Sequence, residues 1–265
     1  MADTKTVLIP TRHGEIELYD EGGGPPLLFL HCGEGLRASL PLLDRLARGR
    51  RVVAASHPGF GRSALPPHFG RIDDLAYFYL DLLAVLDLRD VLLVGASFGG
   101  WIAIEIAVRS TDRLARMVVA DAVGVRFAAD ETEVEIADIY DLPQAVLEQR
   151  SFVHPMRWRP DFSLLSDDAL MTIARNREAL CLYAWAPYMH NPGLRPWLHR
   201  IALPALVLWG ESDGIVSPDY GRALAAALPD ARFLLVEGAA HYPHIEQTER
   251  FASLVEAFAT EEGTR

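Results

Sequence analysis

Cysteine is scarce in this chain: Cys32 and Cys181 are the only two among 265 residues. They lie far apart and no C-x-x-C spacing occurs, so the sequence predicts neither a disulfide framework nor a cysteine-ligated zinc site. Such cysteine usage is typical of a reducing compartment. We therefore expect a cytoplasmic protein.

Basic residues are fewer than acidic ones, and long apolar runs are absent from the sequence. The chain carries 25 Lys and Arg against 36 Asp and Glu, with a formal net charge of -11 at pH 7. Nucleic acids and anionic membranes attract surfaces rich in Lys and Arg, so neither is expected as a partner. The short N-terminal run "VLI" cannot form a signal-peptide core, and no stretch is long enough for a membrane helix. A small-molecule substrate is the expected partner, and a homodimer stays open.

Short apolar runs alternate with amphipathic segments over the first half of the chain. The runs "EIELYDE", "LLFLHC", "RVVAAS", "VLLVG" and "RMVVAD" predict strands, whereas "SLPLLDRLARG", "DDLAYFYLDLLAVLDL" and "FGGWIAIEIAVRS" show helical spacing. Strands that are apolar throughout and alternate with helices predict an α/β fold, with a mostly parallel sheet covered by helices on both faces.

The alternation stops after Asp121 and resumes near Trp197. The intervening segment is rich in aromatic residues and contains no convincing strand, so we predict a helical cap over residues 122–196. The core is then residues 1–121 and 197–265. Its second part contains "ALVLWG" and "ARFLLVEG" as strands and "SPDYGRALAAAL" and "EQTERFASLVEAFAT" as helices.

A serine occupies the junction between a predicted strand and a predicted helix. Residues 95–99 read Gly-Ala-Ser-Phe-Gly, which is the G-x-S-x-G pattern in the strand–turn–helix context that a nucleophile elbow requires. The small flanking residues permit a sharp turn, and the turn presents Ser97 at the helix N-terminus. A serine that merely caps the helix is the alternative.

A base and an acid follow in the places that a serine nucleophile needs. Asp213 comes directly after the strand "ALVLWG", and His241 follows the next strand. The chain order Ser97, Asp213, His241 is that of a nucleophile elbow followed by acid and histidine. Parallel sheets place their sites at the carboxyl ends of the strands, where all three are predicted to lie.

Together these residues resemble the α/β-hydrolase fold with an inserted cap. The oxyanion loop of that family is similar to "LHCGEG", residues 30–35, and its next strand-end loop is similar to "HPGFGRS", residues 57–63. The resemblance implies that Ser97 is the nucleophile, His241 the general base and Asp213 the orienting acid. It also implies an oxyanion hole made by the backbone amides of Gly33 and Phe98.

Other residues compete for two of these roles. His244 is a second candidate for the base, because it follows His241 by one helical turn. Asp121 is a second candidate for the acid, because it ends the strand where some relatives of this fold carry theirs. Glu211 and Asp219 flank Asp213 and are interpreted as solvated acids.

The oxyanion loop departs from the usual pattern at two positions. Cys32 replaces a common glycine and is interpreted as a small packing residue. Glu34 lies beside the predicted amide donor, where a carboxylate would oppose an oxyanion unless it points away, is protonated or is paired. Either it pairs with Arg37 at the surface, or it selects or orients a polar group of the substrate.

The predicted cap supplies further candidates for substrate contacts. These are Trp158, Trp185, Tyr188 and His154, although most aromatic residues of such an insertion form its core. No metal site is predicted, because H-E-x-x-H and close His clusters are missing. No cofactor is predicted either: the G-x-G-x-x-A match "GFGRSA" is followed at once by Pro66 and Pro67, which prevent a phosphate-binding helix.

The predicted activity is acyl transfer by a serine hydrolase. A carboxylic ester is the favoured substrate, and the apolar cap indicates that the substrate is small and largely hydrophobic. Hydrolysis of a carbon–carbon bond in a β-diketone-like substrate is the nearest alternative, because it can use the same three residues. A non-hydrolytic receptor or lyase on the same fold stays open, because a fold alone does not determine function.

Overall fold

The computed structural model describes residues 5–128, 130, 134–159 and 161–261. Its strands form one eight-stranded sheet in the order β1-β2-β4-β3-β5-β6-β7-β8. Strand β2 pairs antiparallel with β1 and β4, and every other pairing is parallel. The strands are β1 (Thr6–Thr11), β2 (Gly14–Glu21), β3 (Pro26–Leu30), β4 (Arg51–Ala55), β5 (Val91–Ala96), β6 (Leu114–Ala120), β7 (Ala205–Gly210) and β8 (Ala231–Val236). The predicted α/β fold with a mostly parallel sheet is confirmed.

Helices follow most of the strands. They are α1 (Leu40–Leu46), α2 (Ile72–Val85), α3 (Phe98–Arg109), α4 (Gln144–Ser151), α5 (Pro155–Trp158), α6 (Asp167–Ala184), α7 (Pro218–Ala227), α8 (Pro243–Glu246) and α9 (Thr248–Thr260). Every strand and helix predicted from an apolar run is present. Strand β1 was not predicted, because its sequence "TVLIPT" has a short apolar run and a proline; it is a partly exposed edge strand, where proline is tolerated.

The sheet separates two apolar clusters. Side chains of β5 alternate between them: Leu93 packs with helices α2 and α3, and Val94 packs on the opposite face with α1 and α9. All six residues of β5 are buried, which explains the uninterrupted apolar run of this central strand. Because β3, β5, β7 and β8 run in the same direction, the loops that follow them lie at one edge of this buried sheet.

The segment between β6 and β7 contains α4, α5 and α6 and no strand among its described residues. Helix α6 lies against the loops that follow β3 and β4: Asn176 bonds to both loops, and the Tyr183 hydroxyl donates to the carbonyl of Pro58 at 3.1 Å. A short 3-10 helix, Arg195–Arg200, runs across the predicted end of the cap. The domain boundaries stay a prediction.

None of the helices described combines the length and the apolar character needed to cross a membrane.

Candidate active site

Ser97 occupies a strained turn between β5 and α3. Its φ is +52° and its ψ is -115°, a conformation that costs free energy in a residue with a side chain. The turn is tight because β3, β5 and α3 meet here: a Cβ on Gly99 would collide with the carbonyl oxygen of Leu30, and one on Gly95 would collide with the carbonyl oxygen of Gly99. The two glycines of the motif are therefore required by close backbone approach.

The structure brings the serine, the histidine and the aspartate into one chain of hydrogen bonds. The Ser97 hydroxyl lies 2.8 Å from His241 Nε2, and His241 Nδ1 lies 2.9 Å from Asp213 Oδ2. The other Asp213 oxygen accepts from the amides of Ile215 and Val216, at 2.8 and 3.1 Å. These donors hold the carboxylate in the orientation in which it meets His241.

Close backbone approach and hydrogen bonds to backbone groups position the histidine and aspartate loops. A Cβ on Gly210 would collide with the carbonyl oxygen of Ala240, so only glycine lets the loop after β7 approach the loop after β8. The Glu246 carboxylate accepts from the amides of Ala240 and Val153, at 2.7 and 2.9 Å, and so joins the His241 loop to the segment after α4. The backbone amide of His241 donates to the backbone carbonyl of Ser151 at 3.1 Å.

Two stacked histidines hold the loop that contains Gly33. His31 and His57 are fully buried, with ring centroids 3.6 Å apart. His31 Nε2 accepts from the amide of His57, so its Nδ1 donates to the carbonyl of Cys32 at 2.7 Å. His57 Nε2 donates to the carbonyl of His31 at 2.9 Å, and its Nδ1 accepts from the Tyr79 hydroxyl. Burial lowers the pKa of His31 to about 4, so the neutral tautomers that this network needs persist at neutral pH.

Cys32 and Glu34 differ sharply in their surroundings. Cys32 is fully buried, and burial together with the nearby Glu34 carboxylate raises the pKa of its thiol to about 12, which excludes a thiolate nucleophile. Glu34 faces the cavity above Ser97. Glu34 is exposed as a whole residue, but desolvation of its carboxyl group beside the cavity raises its pKa, while Arg177, His241 and the Tyr242 hydroxyl oppose the rise. No ion pair between Glu34 and Arg37 occurs in the described part of the chain.

The cavity above Ser97 is small, with a volume of about 40 Å³. Glu34 and Tyr188 line it, as do both predicted oxyanion-hole residues, Gly33 and Phe98. The remaining lining residues are mainly apolar: Ser97, Val123, Ile136, Ile139, Leu180, Met189, Ile215, His241 and Tyr242. The apolar lining residues that come from the predicted cap belong to no sequence motif, so only the tertiary structure identifies them as part of the cavity.

Three predicted contacts do not reach this cavity. Trp185 is 55% exposed and packs against Tyr140, and Trp158 stacks on Phe152. His154 is exposed at the start of α5. These side chains lie in the outer part of the segment between β6 and β7. The part of that segment that covers Ser97 is the inner face of α6, which contributes Leu180 to the cavity.

The rival residues have other surroundings. His244 is buried, and neither of its ring nitrogens has a hydrogen-bond partner among the described residues, so it cannot serve Ser97. Glu211 is exposed, and Asp219 lies in the first turn of α7, where it pairs with Arg222. Asp121 is fully buried at the end of β6 and lies near Asp213.

The sequence did not predict that Asp121, Asp213 and His241 would cluster. One donor atom of each residue lies within 4.8 Å of the others, a spacing at which a metal ion could be held. The His241 nitrogen that faces Asp213 is already hydrogen-bonded to it. The signal that could have revealed the cluster is the position of both aspartates at the ends of neighbouring strands, β6 and β7.

Known proteins similar to this chain include a semialdehyde hydrolase, a depolymerase and an esterase. The 2-hydroxymuconate semialdehyde hydrolase of Pseudomonas sp. (strain CF600) is 28% identical over 260 residues, covering 92% of this chain and 90% of its own. The poly(3-hydroxyalkanoate) depolymerase of Ectopseudomonas oleovorans is 27% identical over 272 residues, covering 99% and 92%. The crystal structure of the esterase RhEst1 from Rhodococcus sp. ECU1013 has a TM-score of 0.78 and 20% identity, covering 98% of this chain and 100% of that one.

The family itself is established by a match over most of the chain. Residues 25–248 match the model of the alpha/beta hydrolase fold, a range that contains the sheet from β3 to β8 and the strand-end loops with Ser97, Asp213 and His241. This chain belongs to the α/β-hydrolase fold family.

Proposed function

We propose that the protein is a serine hydrolase that acts on a small, largely hydrophobic carbonyl compound, with a carboxylic ester as the favoured substrate. The observation that supports this proposal is the continuous chain of hydrogen bonds from the Ser97 hydroxyl through His241 to Asp213. A serine hydroxyl is a weak nucleophile unless a positioned base removes its proton as it attacks. The 2.8 Å separation of Ser97 and His241 allows that transfer.

The proposed reaction has two halves. In the first, His241 Nε2 takes the hydroxyl proton, Ser97 Oγ bonds to the carbonyl carbon, and His241 then gives that proton to the ester oxygen as its bond to the carbon breaks, so that the alcohol leaves. In the second, His241 takes a proton from water, the hydroxide bonds to the acyl carbon, and Ser97 recovers its proton as the acid leaves. Asp213 stabilises the imidazolium in both halves.

The negative oxygen of each tetrahedral intermediate is assigned to the amides of Phe98 and Gly33. Phe98 is the first residue of α3, where a backbone N–H has no partner within the helix. Gly33 lies in the loop held by His31 and His57, on the wall of the same cavity. Donors held in place before the reaction stabilise the developing charge without further rearrangement.

The cavity argues for a short acyl group. Its volume of about 40 Å³ is well below the about 300–1,000 Å³ of typical ligand sites, and most of its lining is apolar. A space of this size and lining favours a short, uncharged acyl chain over a long or charged one.

Replacement of Ser97 by alanine tests the nucleophile. We expect wild-type protein to hydrolyse 4-nitrophenyl acetate and butyrate and to be labelled at Ser97 by a fluorophosphonate, as located by mass spectrometry. The Ser97→Ala variant should lose at least about 10³-fold in kcat and take no label. Ser110→Ala, at the end of α3, is the matched control. Unlabelled wild-type protein that leaves both esters intact but is stabilised by small ligands would indicate a receptor instead.

Glu34 is proposed to select against anionic substrates. An ionised carboxylate on the cavity wall repels a second carboxylate there, so Glu34→Gln should raise kcat/KM for 4-nitrophenyl hydrogen glutarate about tenfold relative to the neutral butyrate. Because the pKa of Glu34 is raised, the wild-type discrimination should grow as pH rises and Glu34 ionises. Glu178→Gln, which removes an exposed charge from α6, should leave the ratio unchanged. An unchanged ratio in Glu34→Gln would refute the role.

Carbon–carbon bond hydrolysis is the second candidate. It is favoured by the similarity to a 2-hydroxymuconate semialdehyde hydrolase over 92% of this chain. The same three residues would serve, with the proton of His241 passing to carbon instead of oxygen. Comparing kcat/KM for a β-diketone-like substrate with that for the butyrate ester would decide between the two bonds.

A further inference from the structure

Asp121 is a buried acid that the proposed reaction leaves without a role. Its exposure is zero, and its φ of +48° is one that side chains rarely adopt. Its Oδ1 accepts from the amide of Gly210 at 2.8 Å. Its Oδ2 has no donor among the described residues, although it is shielded from water. A strained, buried carboxyl group with one oxygen unused would be costly if it were ionised.

The charges near Asp121 are unfavourable to a second anion. One of its oxygens, one Asp213 oxygen and one His241 nitrogen lie within 4.8 Å of one another. Complete burial raises the pKa of Asp121 well above its usual range, and the negative charges of Asp213 and Glu246 raise it further, against the amide of Gly210. Asp213 accepts from three donors and Asp121 from only one, so Asp121 is the carboxyl group with fewer hydrogen bonds to support a negative charge.

We propose that Asp121 is a protonated positioning residue, whose Oδ2–H donates to the Asp213 carboxylate and so holds the acid that orients His241. The proton resolves two observations together. It removes a second buried negative charge, and it converts the oxygen that lacks a donor into a donor beside an acceptor. Asp213 is then held by the amides of Ile215 and Val216, by His241 and by Asp121.

The proposal predicts which substitutions are tolerated. Asparagine has the shape of a protonated aspartate: its oxygen can accept from Gly210 and its NH₂ can donate to Asp213. Leucine has a similar size and no donor. Asp121→Asn should therefore resemble the wild type, while Asp121→Leu should release one side of Asp213.

Infrared difference spectroscopy tests the proton directly and needs no substrate. The spectrum of wild-type protein minus Asp121→Asn at pH 7 should contain the carbonyl band of a protonated carboxyl group, and the band should shift in D₂O. A difference spectrum with only carboxylate bands would overturn the proposal. Because this experiment does not depend on turnover, its result stands even if the protein proves not to be an ester hydrolase.

Kinetics test the positioning role, which rests on the proposed function. With 4-nitrophenyl butyrate, Asp121→Asn should keep kcat within about twofold and leave the acidic limb of the kcat/KM profile unchanged, because no charge is lost. Asp121→Leu should lower kcat about tenfold or more with little change in KM. A shift of the acidic limb by a full pH unit in Asp121→Asn would mean that Asp121 is ionised, and would refute the proposal. Equal loss of kcat in both variants would refute the donor role.

Discussion

His244 is a polar side chain in an apolar place. It is 1% exposed, lies near the rings of Phe29, Tyr242 and Phe251, and has no hydrogen-bond partner for either nitrogen among the described residues. Burial lowers its pKa to about 3, and His241 and His31 contribute to the lowering. An unsatisfied buried group of this kind weakens the fold.

Replacement of His244 by methionine should stabilise the protein. Methionine has a similar volume and no unsatisfied polar atom, so we expect the free energy of unfolding to rise by about 1–2 kcal/mol in urea titrations at pH 7.5. The folded-state pKa of about 3 lies below the ordinary value of 6.5, so His244 reduces stability as pH falls through that interval. The gain should therefore be larger at pH 5. His57→Met, which breaks real hydrogen bonds, should destabilise the protein.

An amide side chain of helix α6 bonds to two loops at the site. Asn176 is buried; its Oδ1 accepts from the amide of Gly61 at 2.8 Å, and its Nδ2 donates to the carbonyl of Glu34 at 3.0 Å. Gly35, which has φ +93°, leaves no room for a side chain beside Asn176. The helix thus stabilises the loop that contains the proposed oxyanion donor, Gly33.

Loss of this amide should affect catalysis as well as stability. We expect Asn176→Ala to lower kcat for 4-nitrophenyl butyrate about tenfold and to lower Tm by several degrees, because two backbone groups lose their partner. Tyr183→Phe removes the bond from the same helix to Pro58, outside the Gly33 loop, and should lower Tm without a comparable loss of kcat. An equal loss of kcat in both variants would contradict the assignment.

At the scale of the whole molecule, side chains from the sheet, its helices and the segment between β6 and β7 pack in one apolar cluster at the site. The sheet and its flanking helices supply Ser97, Asp213 and His241, whereas α6 covers them with Leu180, which is 6% exposed. A Cβ on Gly33 would lie 2.7 Å from Leu180 Cδ2, so this side chain rests directly on the loop. The size of the cavity is therefore determined by how α6 packs on the sheet.

Shortening Leu180 should change the preferred acyl length. Leu180→Ala enlarges the cavity, so kcat/KM should shift from acetate toward hexanoate by about fourfold for each added methylene that becomes buried. Some stability should be lost, because a buried leucine is truncated. Leu182→Ala, at a position 44% exposed on the same helix, should leave the order of substrates unchanged. The same acyl preference in all three proteins would mean that Leu180 does not limit the cavity.

Local sequence patterns were enough to predict most of the strands and the turn at the nucleophile. The apolar runs were enough to predict seven of the eight strands, since a central parallel strand such as β5 must be apolar on both faces. They also predicted helices α1, α2, α3, α7 and α9, whereas α4, α5 and α6 were predicted only together, as a helical cap. The pattern around Gly95 and Gly99 was enough to predict the turn at Ser97. Gly95 is needed for a close backbone contact within the turn, and Gly99 for one with Leu30 at the end of β3. The edge strand β1 was not predicted, because it is stabilised by pairing with β2 and its own six residues give no clear strand pattern.

By itself the sequence determined the α/β class, the order Ser97, Asp213, His241 and the strand end that each follows, because these depend on residue type and local periodicity. Only the tertiary structure decided the distances that join the three, the packing of Leu180 over them and the exclusion of Trp158, Trp185 and His154 from the cavity. It alone placed Asp121 against Asp213. Contacts between residues far apart in the chain depend on how helices and strands pack, and a local pattern contains no record of that packing.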